Sequence, residues 1–160
     1  MQLTPYRPIS VPCAVLVVGS AFVATPPGVD PLTPRLTTIP DARWATRGET
    51  APIDCYSDAG AAMAALLRRG HVGGLRLTTL NLRCVALAAF DDADLAYFGC
   101  SLGEFESRVS SASQEIMGWV RQRWGVSGLV TRAVHDAAAR NAVVLHGPDA
   151  VIERIDEHRV

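Results

Sequence analysis

The strongest hydrophobic run of the chain, residues 13–24, is rich in valine and alanine and has one phenylalanine. Such a run is too short to cross a bilayer and has the composition of a buried strand, so a β-strand is predicted here. Nine of the ten prolines lie between Pro5 and Pro52. Because proline lacks a backbone N–H, residues 1–52 are predicted as a Pro-rich extended segment, in which residues 35–39 offer a further short strand.

Helical spacing begins after this segment. Ser57 or Asp58 can cap a helix that runs through Leu67, and Gly70 is placed to end it. Leucine, valine and threonine then alternate over residues 75–80 and 82–90, which predicts two strands or one bent strand.

The rest of the chain mixes both patterns. Apolar residues recur at steps of four, three, four and four from Phe105 to Val120, which predicts one helix that ends near Trp124. The remaining predictions are a turn at residues 91–94, a short strand at 95–98, a helix at 127–140, a strand at 142–145 and a terminal helix opened by Pro148.

These elements predict one domain over residues 1–160, with strand 13–24 in its extended part and an α/β portion over residues 57–160. A chain of 160 residues buries roughly two thirds of its unfolded surface, enough for a core without a metal or disulfide. The predicted fold class is α+β or α/β, with a three- to five-stranded sheet and helices in the C-terminal two thirds.

Composition excludes several chemistries. The chain has no lysine, and its 15 basic side chains are all arginine, so Schiff-base, P-loop and kinase-type lysines are absent. Its net charge of −1 gives no global attraction for nucleic acid. The chain has four cysteines, at positions Cys13, Cys55, Cys84 and Cys100, and their spacing is not that of zinc ligands. We therefore expect no bound metal and a reducing, cytoplasmic location. We also expect no cofactor.

Residues 99–103 contain the pattern G-x-S-x-G between a predicted strand and a predicted helix. In a nucleophile elbow, small flanking residues allow a sharp turn that presents the serine to a base. Ser101 or Cys100 is therefore the candidate nucleophile and His146, at the end of a predicted strand, the candidate base. Helix N–H groups would stabilise the oxyanion. The reaction would be acyl transfer or hydrolysis.

Residues 100–104 also resemble the Ser-Leu-Gly-Glu tract of acyl-carrier-protein acyltransferases. Those enzymes have longer chains and a histidine where Cys100 stands. An alternative interpretation of the same tract is structural. Ser101 and Glu104 have the spacing of a capping box, in which each side chain satisfies a free backbone N–H at a helix start.

A second function class follows from residues 118–134, which resemble a helix-turn-helix with its turn at Gly125 to Ser127. Gly128 to Arg140 would be the recognition helix in the major groove of DNA, and residues 142–146 would form the wing strand of a winged-helix regulator. Four arginines could meet phosphates: Arg121, Arg123, Arg132 and Arg140.

A third class is a homo-oligomeric assembly protein, in which Trp119 or Trp124 anchors a second subunit. The sequence does not decide among these classes. Our working hypothesis is a small cytoplasmic enzyme or ligand-binding protein with Ser101, Cys100 and His146 as its site. For partners we predict a small-molecule or anionic ligand and a homo-oligomer, leave nucleic acid open and expect no membrane.

Overall fold

The computed structural model describes residues 14–34, 49–71, 73–107, 111–123, 125–147 and 151–159. Within these residues it has six strands and four helices. In chain order they are β1 (Ala14–Thr25), β2 (Ile53–Tyr56), α1 (Ala59–Arg68), β3 (Arg76–Ala89), α2 (Asp92–Tyr97), α3 (Leu102–Ser107), α4 (Ser111–Arg121), β4 (Gly128–Arg132), β5 (Arg140–Val144) and β6 (Val151–Arg159).

The two longest strands, β1 and β3, pair with each other in the sheet. β1 runs antiparallel to β3 along its whole length, from Ala14 opposite Ala88 to Thr25 opposite Arg76. The register shifts once, between Val17 and Gly19, where β3 contains one extra residue. The strand predicted at residues 13–24 is confirmed over its described part, residues 14–24. Of the two alternatives for residues 75–90, the single strand is the one observed, and it is irregular and covers residues 76–89.

Five strands close into a ring, which we call the β-ring. β1 pairs with β2 at a single position, Phe22 opposite Tyr56. β2 then pairs with β5, β5 with β4, and β4 with the end of β3, which pairs back to β1. Only the β3–β4 pairing is parallel among the described strands. β6 lies outside the ring, antiparallel to residues 76–83 of β3.

The predicted fold class is therefore wrong in two respects. The described residues form a six-stranded mixed sheet rather than one of three to five strands. Strands also make up much of the C-terminal two thirds, where helices were expected. The helix predicted at 127–140 is replaced by β4, a turn and β5, and β6 stands where a terminal helix was expected. The short strand predicted at 95–98 belongs to α2 and the turn after it.

Close contact between two backbones explains why the first residue of β4, Gly128, is a glycine. Its φ is +150°, and a Cβ at this position would lie 2.1 Å from the carbonyl oxygen of Val143 on β5. Only glycine allows the two backbones to approach so closely. Long-range pairing thus decides the structure of residues 128–144, although their local spacing suits a helix.

The helices pack against the ring through their apolar faces. Asp58 caps α1 by accepting from the N–H of Ala61, and Gly70 follows the helix with φ +83°. The predicted apolar stripe is buried at Phe105, Ile116 and Val120. It is divided between α3 and α4, which lie on either side of residues 108–110.

Several expectations lie outside the described residues. They are the short strand at 35–39, the first turn at Pro148, Cys13 and Trp124. Among the helices described, none has both the length and the apolar character that crossing a membrane requires.

Candidate functional site

A cavity of about 760 Å³ lies beside the N-terminal half of β1. We call it the ring cavity. Its walls come from β1, β3, β4 and β5, the end of β2, and the turn that leads into α2. The residues that define it are Val15, Val17, Val18, Ser20, Ala21, Tyr56, Ser57, Leu82, Ala89, Phe90, Asp91, Asp92, Ala93, Val130, Thr131, Arg132, Arg140 and Ala142. Most of its wall is apolar, as in small-molecule sites.

Charged side chains at the rim are contributed by three elements. Arg132, the last residue of β4, makes two hydrogen bonds to Asp92, at 3.2 Å from Nε and 2.9 Å from Nη2. Hydrogen bonding to Asp92 raises the pKa of Arg132. Asp91 caps α2 by accepting from the N–H of Asp94. In the described chain, the guanidinium of Arg140 bonds only to the carbonyl oxygens of residues 137 and 139.

The pairing of β2 with β5 fixes the position of Arg140. Its backbone N–H donates to Ser57 Oγ at 2.8 Å, and the Ser57 N–H donates to its carbonyl oxygen at 2.9 Å. This leaves the guanidinium of Arg140 as the rim cation that no described carboxylate neutralises. It is therefore the rim group with which an anionic group in the ring cavity could form an ion pair.

Tyr56 connects the ring cavity to a buried polar cluster. Its hydroxyl accepts from Arg69 Nη2 at 3.2 Å, and the same nitrogen lies 2.8 Å from Asp54 Oδ2. The other oxygen of Asp54 accepts from Asn141 Nδ2 at 2.6 Å. Burial acts to lower the pKa of Arg69, but Asp54, Tyr56 and Glu106 together outweigh it and raise that pKa above its usual value.

Glu106 is the most buried carboxylate of this cluster, with 2% of its side chain exposed. One oxygen pairs with Arg68 of α1, and the other accepts from the N–H of Val134 at 3.2 Å. Glu106 thereby ties α1 and α3 to the turn between β4 and β5. This turn joins Arg132 to Arg140. The hydrogen bond from Val134 to Glu106 therefore connects the polar cluster to the segment that carries both rim arginines.

Ser101 and Cys100 lie together, and the serine caps α3. The N–H of Glu104 donates to Ser101 Oγ at 3.2 Å, and the N–H of Ser101 donates to the Glu104 carboxylate at 3.4 Å. This geometry is the capping box anticipated from the sequence. The Cys100 thiol is buried and donates to the carbonyl of Ser101. Burial, and then the charge of Glu104, raise its pKa.

His146 lines a different cavity from Ser101. A cavity of about 490 Å³ contains Cys100 and Ser101, whereas His146 lines one of about 340 Å³. Partial burial lowers the pKa of His146. The structure thus brings Cys100 and Ser101 together and places the candidate base with other residues, among them Arg69 and His71.

Sequence reasoning missed most of the ring cavity. Arg132 and Arg140 were assigned to a helix because residues 129–137 have helical spacing, and no local signal marks Tyr56 or Glu106 for a polar cluster. Since residues 128–132 form a strand, the helix-turn-helix interpretation lacks its second helix. The described residues contain no group of three or more histidine, cysteine or acidic side chains suited to a metal ion.

Comparison with known proteins gives a fold and no family. No family model and no curated protein matches the chain. A chain in the crystal structure of the M. tuberculosis MbcT–MbcA toxin–antitoxin complex has a similar fold, with a TM-score of 0.68 and 13% sequence identity. The match covers 92% of this chain and 86% of that chain. At this identity, the similarity establishes the architecture alone.

Proposed function

We propose that this chain is the toxin component of a two-protein toxin–antitoxin pair, with the ring cavity as the site of its activity. The fold-wide match to a chain of a toxin–antitoxin complex carries the proposal. The cavity supports the toxin role over the antitoxin role, because a pocket of about 760 Å³ with charged residues at its mouth suits a small molecule.

The ligand class follows from the lining of the cavity. Apolar side chains such as Val17, Ala21 and Val130 form the walls and favour an apolar or aromatic body. At the rim, Arg132 and Asp92 neutralise each other, and Arg140 remains as the cation without a described acidic partner. The ligand is therefore an organic anion with its charged group at Arg140.

Growth of a bacterial culture after induced expression tests this proposal. Wild-type protein should stop growth. Ser20→Trp should abolish toxicity, because Ser20 is an exposed β1 residue that lines the cavity and indole would fill the space beside it. Arg140→Ala should weaken toxicity by removing the cation that faces the ligand.

The matched control is Arg83→Ala. Arg83 is an exposed arginine of β3 whose ion-pair partner is Glu153 on β6, and it does not line the ring cavity. This variant should stay as toxic as the wild type at equal protein level. Normal growth with the wild-type protein, or equal toxicity of all the variants, would contradict the proposal.

Acyl transfer or hydrolysis at Ser101, Cys100 and His146 stays a separate prediction. It requires its own test, because these residues lie outside the ring cavity. Homo-oligomer formation and nucleic-acid binding are likewise untested predictions. A protein partner is the partner class that the fold match favours.

A further inference from the structure

A second cavity, of about 340 Å³, lies near the C-terminal end of β1 and is distinct from the ring cavity. We call it the histidine cavity, since His71 and His146 both line it. The turn after β1, the start of β2, the residue after Gly70 and the residues after β5 contribute to it. Its charged and titratable members are Asp30, Asp54, Arg69, His71 and His146.

The acidic groups of this cavity are already occupied by internal partners. Asp30 accepts from the N–H of Leu32 and from the Thr33 hydroxyl, and it also pairs with Arg154. The Leu32 N–H foremost lowers the pKa of Asp30, so this carboxyl is ionised at neutral pH. Asp54 binds Arg69 and Asn141 through its two oxygens.

The hydrogen-bond donors of the cavity, in contrast, are not all used by internal partners. Among the described residues, neither imidazole of the cavity makes a side-chain hydrogen bond, although His146 is only partly exposed. The Nε of Arg69 is buried and has no partner in the described chain. That buried nitrogen is not exposed to the cavity, so the two imidazoles are the donors that a ligand supplying acceptors would engage, with Arg69 as the cation beside them.

We propose that the histidine cavity binds a small oxyanion, a phosphate or a carboxylate, through the imidazoles of His71 and His146 together with Arg69. A site with unused donors and saturated carboxylates favours an acceptor that carries negative charge. This proposal does not depend on the ring cavity or on toxicity.

Protonation strengthens the proposed site. In the empty cavity, burial lowers the pKa of His146. A bound oxyanion favours the imidazolium, so it raises that pKa, and the anion binds more tightly as the pH falls. The other charged or titratable residues that line the cavity are Asp30, Asp54, Arg69 and His71.

An NMR titration of the histidine ring protons tests the site. The full chain is titrated with sodium phosphate and, separately, with sodium acetate, against sodium chloride at equal ionic strength, from pH 5.5 to 7.5. We expect saturable shifts of the His71 and His146 rings and a higher His146 pKa with the bound anion. Saturation with phosphate alone, acetate alone or both identifies the phosphate group, the carboxylate or either as ligand.

Variants separate the site from general anion effects. His71→Ala changes an exposed residue and is expected to leave the fold intact, and it should weaken binding about tenfold, the loss of one charge-assisted hydrogen bond. His146→Ala should act in the same direction. His135→Ala, an exposed histidine of the β4–β5 turn, is the control and should bind like the wild type. Unchanged binding in His71→Ala, or no anion effect beyond that of chloride, would overturn the proposal.

Discussion

The polar cluster around Glu106 and the rim of the ring cavity both pair arginine with carboxylate, but in opposite surroundings. The Glu106 side chain is 2% exposed and bonds to groups from two other elements. Arg132 and Asp92 are 41% and 60% exposed. Burial makes the first pair a structural link, because separating it leaves a charge in a poorly solvated site. Because the Arg132–Asp92 pair is exposed, it contributes little to stability and is available to a ligand.

The largest expected effect is on the buried side. Glu106→Ala should lower the free energy of unfolding by about 1–3 kcal/mol, because it leaves an N–H of the β4–β5 turn without its acceptor and removes the partner of the 30% exposed Arg68. Urea unfolding measures this change. Glu104→Ala on the same helix is the control, since Glu104 is exposed and should cost about 1 kcal/mol or less. Equal losses in the two variants would remove the distinction between buried and exposed carboxylates.

The Ser101 cap should have an intermediate effect. Ser101→Ala should cost about 1 kcal/mol of unfolding free energy, because Ser101 Oγ accepts from the N–H of Glu104. Asp58→Ala, at the cap of α1, is the reference for a purely structural cap and should cost a similar amount. If Ser101→Ala or Cys100→Ala instead abolished an esterase or acyltransferase activity at unchanged stability, the serine would be a nucleophile.

The pH dependence of stability should be a smaller effect. Since the pKa of folded His146 lies below 6.5, the unfolded chain binds the proton more readily. The contribution of His146 to the free energy of unfolding is therefore present above that pH and is lost as the pH falls toward and below the folded pKa. In chloride buffer without oxyanions, His146→Ala should reduce the slope of stability between pH 7.5 and 5.5. An unchanged slope would exclude this residue as its source.

The smallest change in stability is expected at the rim. Arg132→Ala should leave urea unfolding unchanged within experimental error, because its ion pair with Asp92 is exposed. The same variant should reduce toxicity, since Arg132 orders the mouth of the ring cavity. A large loss of stability would show that the rim, like the Glu106 cluster, is part of the structural framework.

Local signals predicted some of this molecule and failed elsewhere for a physical reason. β1 and α1 were predictable, because a valine-rich run and an Asp58 cap with a terminal Gly70 are contained within a few residues. β4 and β6 were not predictable from local signals. Gly128 and the charged residues of β6 adopt strand conformation because they pair with strands distant in sequence. Propensity is a weak guide where such pairing decides.

The candidate site shows the same limit. The capping box of Ser101 and Glu104, the alternative interpretation of this tract, could be predicted because the motif spans four residues, and its two hydrogen bonds are present. The ring cavity gathers residues from Val15 to Ala142, and no short motif encodes that assembly. The rim arginines, Arg132 and Arg140, lie in a segment whose residue spacing predicted a helix but which forms the strands β4 and β5.

Survival of bacteria after induction of this chain is the most direct test of the account. The ratio of colony-forming units for Ser20→Trp to those for the wild type compares two folded proteins that differ only in whether the ring cavity is open. We predict strong killing by the wild type, unimpaired survival with Ser20→Trp and continued killing with Arg83→Ala. Equal survival with wild type and Ser20→Trp, at equal amounts of folded protein, would contradict the assignment of toxicity to this cavity.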